Sequence, residues 1–230
     1  MMILALEFSS AQRSVAVWKS APGGPPAAAG RAGRIPQIYE TIQTNEQGTK
    51  ALEMIETVLA EGGIEREKIN VVAVGLGPGS YTGVRAAISI AQGWQLARGV
   101  RLLGVSSMEC LAAEAQAEKI SGRVNVVVDA QRNEIYFAAY EISSGNRREI
   151  MPLSILSPAT VQRWTDANEI FIGPEATHWF PDGWRVFPRA ATLARLAAAR
   201  TDSAPGETLE PIYLRETRFA KLPTSKQVQP

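Results

Sequence analysis

The chain has 230 residues, 45% of them hydrophobic and 20% charged, a composition ordinary for a soluble globular protein and a length sufficient for one domain or two small ones. Its 24 Lys and Arg stand against 23 Asp and Glu, so no net field draws nucleic acid or anionic lipid, and any RNA contact has to come from a local patch or a partner. One cysteine, Cys110, and one histidine, His178, exclude an internal disulfide framework, a Cys-based zinc site and a two-histidine metal site.

Residues 2–8 are an apolar run suited to a central strand, and residues 14–18 (SVAVW) alternate like the returning strand of a hairpin. The beginning of the sequence shows no basic leader, and no apolar run approaches the length of a membrane span, which predicts a cytoplasmic protein. Residues 20–36 are Pro, Gly and Ala with scattered Arg and read as a mobile surface loop, because they bury too little apolar area to offset their own ordering. A third strand follows over 38–43. Residues 47–61 read as a helix with Leu52, Ile55 and Leu59 on one apolar line and Ala51, Met54 and Val58 beside it. So broad a face is either all core or partly a contact for something outside the domain. Gly62-Gly63 ends that helix.

The stretch 71–97 organises the chain. Residues 71–74 are a short buried strand, and residues 75–83 (GLGPGSYTG) are too glycine-rich for a strand or helix interior. Ser80 or Thr82 is placed to cap a helix that starts near Gly83 and is stopped by Arg98-Gly99. Strand, glycine loop and helix N-terminus together can hold an anion. Neither well-known phosphate fingerprint is present, since Gly83 is followed by Val84-Arg85 and the glycine spacing misses G-x-G-x-x-G by one residue. A tight turn that merely reverses the chain remains the other reading.

Residues 101–105 predict another strand and residues 106–119 a helix. The strand 123–129 (RVNVVVD) then repeats the opening theme, with 134–142 as its hairpin partner and 149–156 as a third strand. Ser157-Pro158 starts a helix running to about 165; residues 169–172 are a short strand, and 193–199 a final alanine-rich helix. The order hairpin, third strand, helix, strand, helix thus occurs twice, predicting two α/β halves, 1–105 and 106–220, with a cleft between them and the terminal segment packing back on the first. Residues 221–230 read as a flexible tail.

The segments ILALEFSSAQRSVAVW, GLGPGSYTGVR, VDAQRNEIYFAAYE and EPIYLR together resemble the TsaB (YeaZ-like) family. Its members are non-catalytic partners of the enzyme TsaD in synthesis of threonylcarbamoyladenosine at position 37 of ANN-decoding tRNAs. The resemblance runs from Ile3 to Arg215, and Gly77 to Arg85 is its most specific part. It implies the actin/hexokinase/Hsp70-like (ASKHA) fold of two RNase H-like domains. It also implies a helix-bundle interface, over 47–61 and 83–98, with TsaD or with a second copy of the chain when alone, while the ATPase TsaE and tRNA engage through the assembly. The interface positions it points to are Ala51, Met54, Ile55, Val58, Ala86, Ser89, Ile90 and Gly93. The residues bear on this directly: the second helix carries Ala86, Ala87, Ser89, Ala91, Gly93 and Ala97, small side chains that either admit another helix or pack within the chain's own domain. Candidate anion- or nucleotide-holding positions are Ser9, Ser10, Gly77, Gly79, Ser80, Thr82 and Gly83. No cofactor and no metal are expected. Glu7 stands where the family usually has Asp, and Gly173-Pro174-Glu175 where it usually has Gly-Asp-Gly. Both departures argue against catalytic use of a nucleotide.

Two enzymatic readings compete. A small ASKHA-fold kinase or ATPase would use Glu7 and Asp129 as its metal-managing carboxylates. A glycoprotease-like peptidase would need a histidine pair or a Ser/His/Asp triad. Only His178 is available for either, and no G-x-S-x-G nucleophile turn occurs.

Overall fold

A computed structural model describes residues 1–20, 36–44, 50–164, 169–200 and 209–214. The interior of the predicted 20–36 loop, the start of the helix expected from 47, residue 165 and the 221–230 tail lie outside the described residues.

Among the described residues, ten strands form two five-stranded sheets. The first contains β1 (Met2–Glu7), β2 (Gln12–Lys19), β3 (Gln37–Thr44), β4 (Val71–Gly75) and β5 (Arg101–Val105), in the order β3-β2-β1-β4-β5. The second contains β6 (Gly122–Asp129), β7 (Ile135–Ile142), β8 (Arg147–Leu156), β9 (Ile170–Gly173) and β10 (Trp184–Arg185), in the order β10-β9-β6-β7-β8. Each sheet is an antiparallel three-strand meander whose first strand is extended on its other side by parallel strands. The same topology therefore occurs twice, as in the two RNase H-like halves of an ASKHA fold.

The central strands of the first sheet are buried on both faces, which is why β1 and β4 read as continuous apolar runs rather than alternating ones. Leu4, Leu6, Val72 and Val74 point to α1 (Ala51–Gly62) and α2 (Tyr81–Arg98). Ile3, Ala5, Val71 and Ala73 point the other way. That second face is not covered by the helix that follows β5. It is covered by α6 (Ala190–Ala199), the last helix described, through Ala190, Leu193, Ala194 and Ala197. The helix that does follow β5, α3 (Ser107–Ala117), sets Met108, Leu111, Ala112 and Ala115 against Val124, Val126 and Val128 of the second sheet. The helix that follows each sheet in the chain thus packs on the other sheet, and α3 and α6 touch between them. The remaining face of the second sheet is closed by α4 (Pro158–Trp164) and α5 (Ala176–Trp179), with Val127, Phe137, Val161 and Phe171 inside.

Candidate functional site

The glycine loop lies where the ends of β1, β4 and β5 meet. Ser80 caps α2, its Oγ accepting from the Gly83 N–H at 3.3 Å. Its own N–H donates to the Ser9 carbonyl at 2.6 Å. The Gly77 N–H donates to Ser107 Oγ at 3.2 Å, and the Ser107 N–H returns to the Gly77 carbonyl at 2.8 Å. The Gly77-Pro78 peptide is cis. Beneath the loop, Glu7 is fully buried. Its Oε1 accepts from the Ser9 N–H and its Oε2 from Ser107 Oγ, both at 2.9 Å. Burial pushes the Glu7 carboxyl above its ordinary value, against the opposing pull of its hydrogen bonds to Ser9 and Ser107.

Three of these glycines are required by close approach. A Cβ on Gly83 would overlap the Phe8 carbonyl oxygen, one on Gly79 the Ser9 carbonyl oxygen, and one on Gly75 the Glu7 carboxylate. The groups pressed against the loop are therefore acceptors, the reverse of what an anion cradle offers. The structure does bring Ser9, Gly77, Gly79, Ser80 and Gly83 together, but the N–H groups of Gly77, Ser80 and Gly83 are engaged by the chain's own oxygens. Ser10 Oγ donates to the Gln12 carbonyl within the hairpin turn at 2.7 Å, and Thr82 is exposed. The loop as it stands joins the strand ends to α2.

The outer faces of α1 and α2 are the second region. Here the interface assignment needs correction in α1. Ala51, Met54, Ile55 and Val58 are all buried in the chain's own core, together with Leu59. Their i, i+3, i+4, i+7 spacing makes a single stripe, and the first sheet takes up the whole of it. What α1 shows outward is Leu52, 66% exposed, with Glu53, Glu56, Thr57 and Ala60. In α2 the core takes Val84, Ala87, Ile88 and Ala91, so two of the small residues, Ala87 and Ala91, serve internal packing. Ala86 and Ile90 are half-buried, while Ser89, Gly93 and Ala97 are exposed, as is Leu96 at 92%. Among the described residues, a Cβ on Gly93 would meet nothing. Among the interface positions inferred from the sequence, Ala86, Ser89, Ile90 and Gly93 thus reach the surface, as do Leu52 and Leu96, which were not among them. The helical line through Leu52 was visible, but which side the sheet would take was not.

Residues 209–214 run across the N-terminal end of α2. Leu209 enters the first core, and the Ile212 N–H donates to the Leu76 carbonyl at 2.9 Å. The Tyr213 ring stacks on Tyr81 with centroids 5.5 Å apart. The Arg85 guanidinium lies 3.9 Å over the Tyr81 ring, and its Nε donates to the Tyr213 hydroxyl at 3.2 Å.

A third region, in the second half, is a cavity of about 430 Å³ lined by Asp129, Arg132, Pro174, Glu175, His178 and Arg185, among others. Gln131, Arg132 and Asn133 turn the β6–β7 hairpin with three successive positive φ angles of 64°, 59° and 58°. Asp129 supports that turn by accepting from the Gln131 N–H at 2.7 Å. The Asp129 N–H donates to Glu175 Oε2 at 3.3 Å, and burial pushes the Glu175 carboxyl up. His178 is exposed and meets the Trp179 ring edge-on at 5.1 Å. Cys110 is buried, and burial pushes its thiol well up, away from the thiolate form a nucleophile needs. Among the described residues no group of three His, Cys, Asp or Glu is placed to hold a metal ion. No helix among them is long and apolar enough to cross a membrane.

Comparison with known proteins agrees with this architecture. The family described as "TsaD: tRNA N6-adenosine threonylcarbamoyltransferase" matches residues 44–192. The chain is 29% identical to the tRNA threonylcarbamoyladenosine biosynthesis protein TsaB of Escherichia coli (strain K12), over 97% of this chain and 99% of that one. It is 27% identical to the TsaB of Haemophilus influenzae over 76% of this chain and 82% of that one. The solved structure of YeaZ from Pseudomonas aeruginosa superposes with a TM-score of 0.75 at 27% identity, covering 93% of this chain and 99% of that one. The glycine loop, the doubled sheet and the exchanged helices thus stand in a chain that belongs to the TsaD family, and within it to the TsaB (YeaZ-like) members.

Proposed function

We propose that this chain is a non-catalytic subunit of the assembly that transfers threonylcarbamoyl to N6 of adenosine 37 in ANN-decoding tRNAs, and that it binds and supports a TsaD-type enzyme through the outer face of α2. The observation that carries the reading is the make-up of that face. Gly93 sits in the interior of an 18-residue helix, where glycine costs about 1 kcal/mol relative to alanine, and among the described residues nothing lies near enough to require it. Ser89, Gly93 and Ala97 let a second helix approach closely, and Leu96 supplies an apolar side chain to bury. By this reading the transfer chemistry belongs to the TsaD-type partner, a TsaE-type ATPase and tRNA join through the assembly, and a second copy takes the same face when the partner is missing. The closed glycine loop supports a scaffolding role, because its carbonyl-lined underside holds β1, β4 and α2 together.

A leave-one-out reconstitution tests the proposal. It combines TsaD, TsaE, the threonylcarbamoyl-adenylate synthase, ATP, threonine, bicarbonate and tRNA, with and without this chain. Modified adenosine, read by mass spectrometry of digested tRNA, is expected only when the chain is present. Equal product without it removes the subunit role.

A further inference from the structure

At the N-terminal end of the α2 face, a cation is built into an aromatic seat. Arg85 lies over Tyr81 at 3.9 Å and within 5.7 Å of the Tyr213 ring centroid, and its Nε is occupied by the Tyr213 hydroxyl. That arrangement fixes the plane of the guanidinium and leaves its two terminal nitrogens for another acceptor. Among the described residues no carboxylate pairs with it. The seat is open, with Tyr81 53% and Tyr213 42% exposed and Leu214 beside them. Arg85, Ser89, Gly93 and Leu96 follow one another at helical spacing along the exposed side of α2, so the seat continues the face described above.

We propose that Arg85 is the polar anchor of that face: it receives a carboxylate of the TsaD-type partner in bidentate geometry, and the segment 209–214 is part of the docking surface. The inference rests on the subunit reading. Three observations favour an acidic protein group over an RNA phosphate. Among the described residues, the groups that hold Arg85 are the two rings of Tyr81 and Tyr213 and the Tyr213 hydroxyl. The whole of α2 contains no Asp or Glu, so nothing on the helix competes for the cation. The only other cation of the helix, Arg98, is 13 residues away, about 20 Å along the axis, whereas a phosphate backbone is followed by a row of cations. Tyr and Arg side chains held in place before association and desolvated by it are the ones that dominate interface affinity.

The experiment measures affinity for the TsaD-type protein from the same source at several salt concentrations, for the full chain and for its Arg85→Gln, Arg85→Lys and Gly93→Trp variants, with melting temperatures alongside. Arg85→Gln is expected to weaken binding 10- to 100-fold and to flatten the dependence of log Kd on log salt. Arg85→Lys should retain the salt dependence but recover only part of the affinity, since an ammonium cannot form the fork. An affinity loss with an unchanged salt slope overturns the carboxylate contact and leaves Arg85 as a pin for residues 209–214. Wild-type affinity in Arg85→Gln together with weak binding in Gly93→Trp removes the anchor while the subunit reading stands. No binding by the unmodified chain overturns both.

Discussion

Gly83 has an ordinary helical backbone, and its lack of a side chain matters only because the Phe8 carbonyl oxygen occupies the place of a Cβ. Gly83→Ala should therefore lower stability by about 3 kcal/mol or more, read as a fall in the urea midpoint with unchanged slope. An open cradle would tolerate the same change. The glycines were legible in the sequence as a loop, but periodicity and composition carry no information about what presses on a loop, so the carbonyl floor was not legible. Glu114 illustrates the same limit. It lies on α3 beside Thr192 of α6, with its Oε1 buried and unpartnered. Burial raises its carboxyl above the ordinary 4.5, opposed by Thr192 and by the Arg189 and Arg195 charges and reinforced by Glu40. The folded state thus disfavours the ionised form. That penalty is absent below about pH 4.5 and complete once the pH exceeds the raised value, so this group makes the protein less stable as pH rises from 4.5 toward neutrality. Glu114→Gln should remove that part of the decline and raise the melting temperature at pH 7 more than at pH 4. Equal shifts at both pH values would contradict the assignment.

Helix α2 divides its small residues between two tasks. Ala91 is fully buried in the first core, while Ala86 is half-exposed at the edge of the outer face. Ala86→Trp should leave the melting temperature of the isolated chain within a few degrees and weaken association with the TsaD-type partner. Ala91→Trp should instead destabilise the chain itself by several kcal/mol, because a closed core has no room for an indole. Partner affinity unchanged in Ala86→Trp would take that position out of the interface. Most elements were legible in the sequence. Apart from β10, the strands of both sheets and α1 to α4 fall within a few residues of where their periodicity put them, and α6 starts three residues earlier than expected. What escaped were the two-residue β10 and the four-residue α5, too short to complete a period, and the inward turn of the α1 stripe. A stripe shows that a helix has an apolar side; its neighbours decide whether that side meets the same chain or another.

The doubled order of elements announced two halves, and two sheets of identical strand order are present. Nothing in the sequence indicated that the helix following each sheet would cover the other sheet, since amphipathic spacing is the same whichever sheet receives it. The exchange is locked at its edges. Arg200, just beyond α6, donates to the Gly104 carbonyl at 2.8 Å and to Glu109 Oε2 at 2.7 Å. Arg147 from β8 reaches the other oxygen of Glu109 at 3.7 Å. Residues 1–105 expressed alone should consequently fail to fold, binding a hydrophobic dye and showing no cooperative melting, although they contain a complete sheet. A cooperative transition in that fragment would show the exchange to be dispensable. The exchange also sets a timetable for biosynthesis. When β5 has left the ribosome, the side of the first sheet bearing Ile3, Ala5, Val71 and Ala73 has nothing to lie against until α6 emerges about 90 residues later. At ordinary elongation rates that wait is on the order of ten seconds, long compared with collapse of a small chain. The nascent protein is thus a natural client for ribosome-associated chaperones, and slowing translation between codons 106 and 190 would lengthen the period in which it can aggregate.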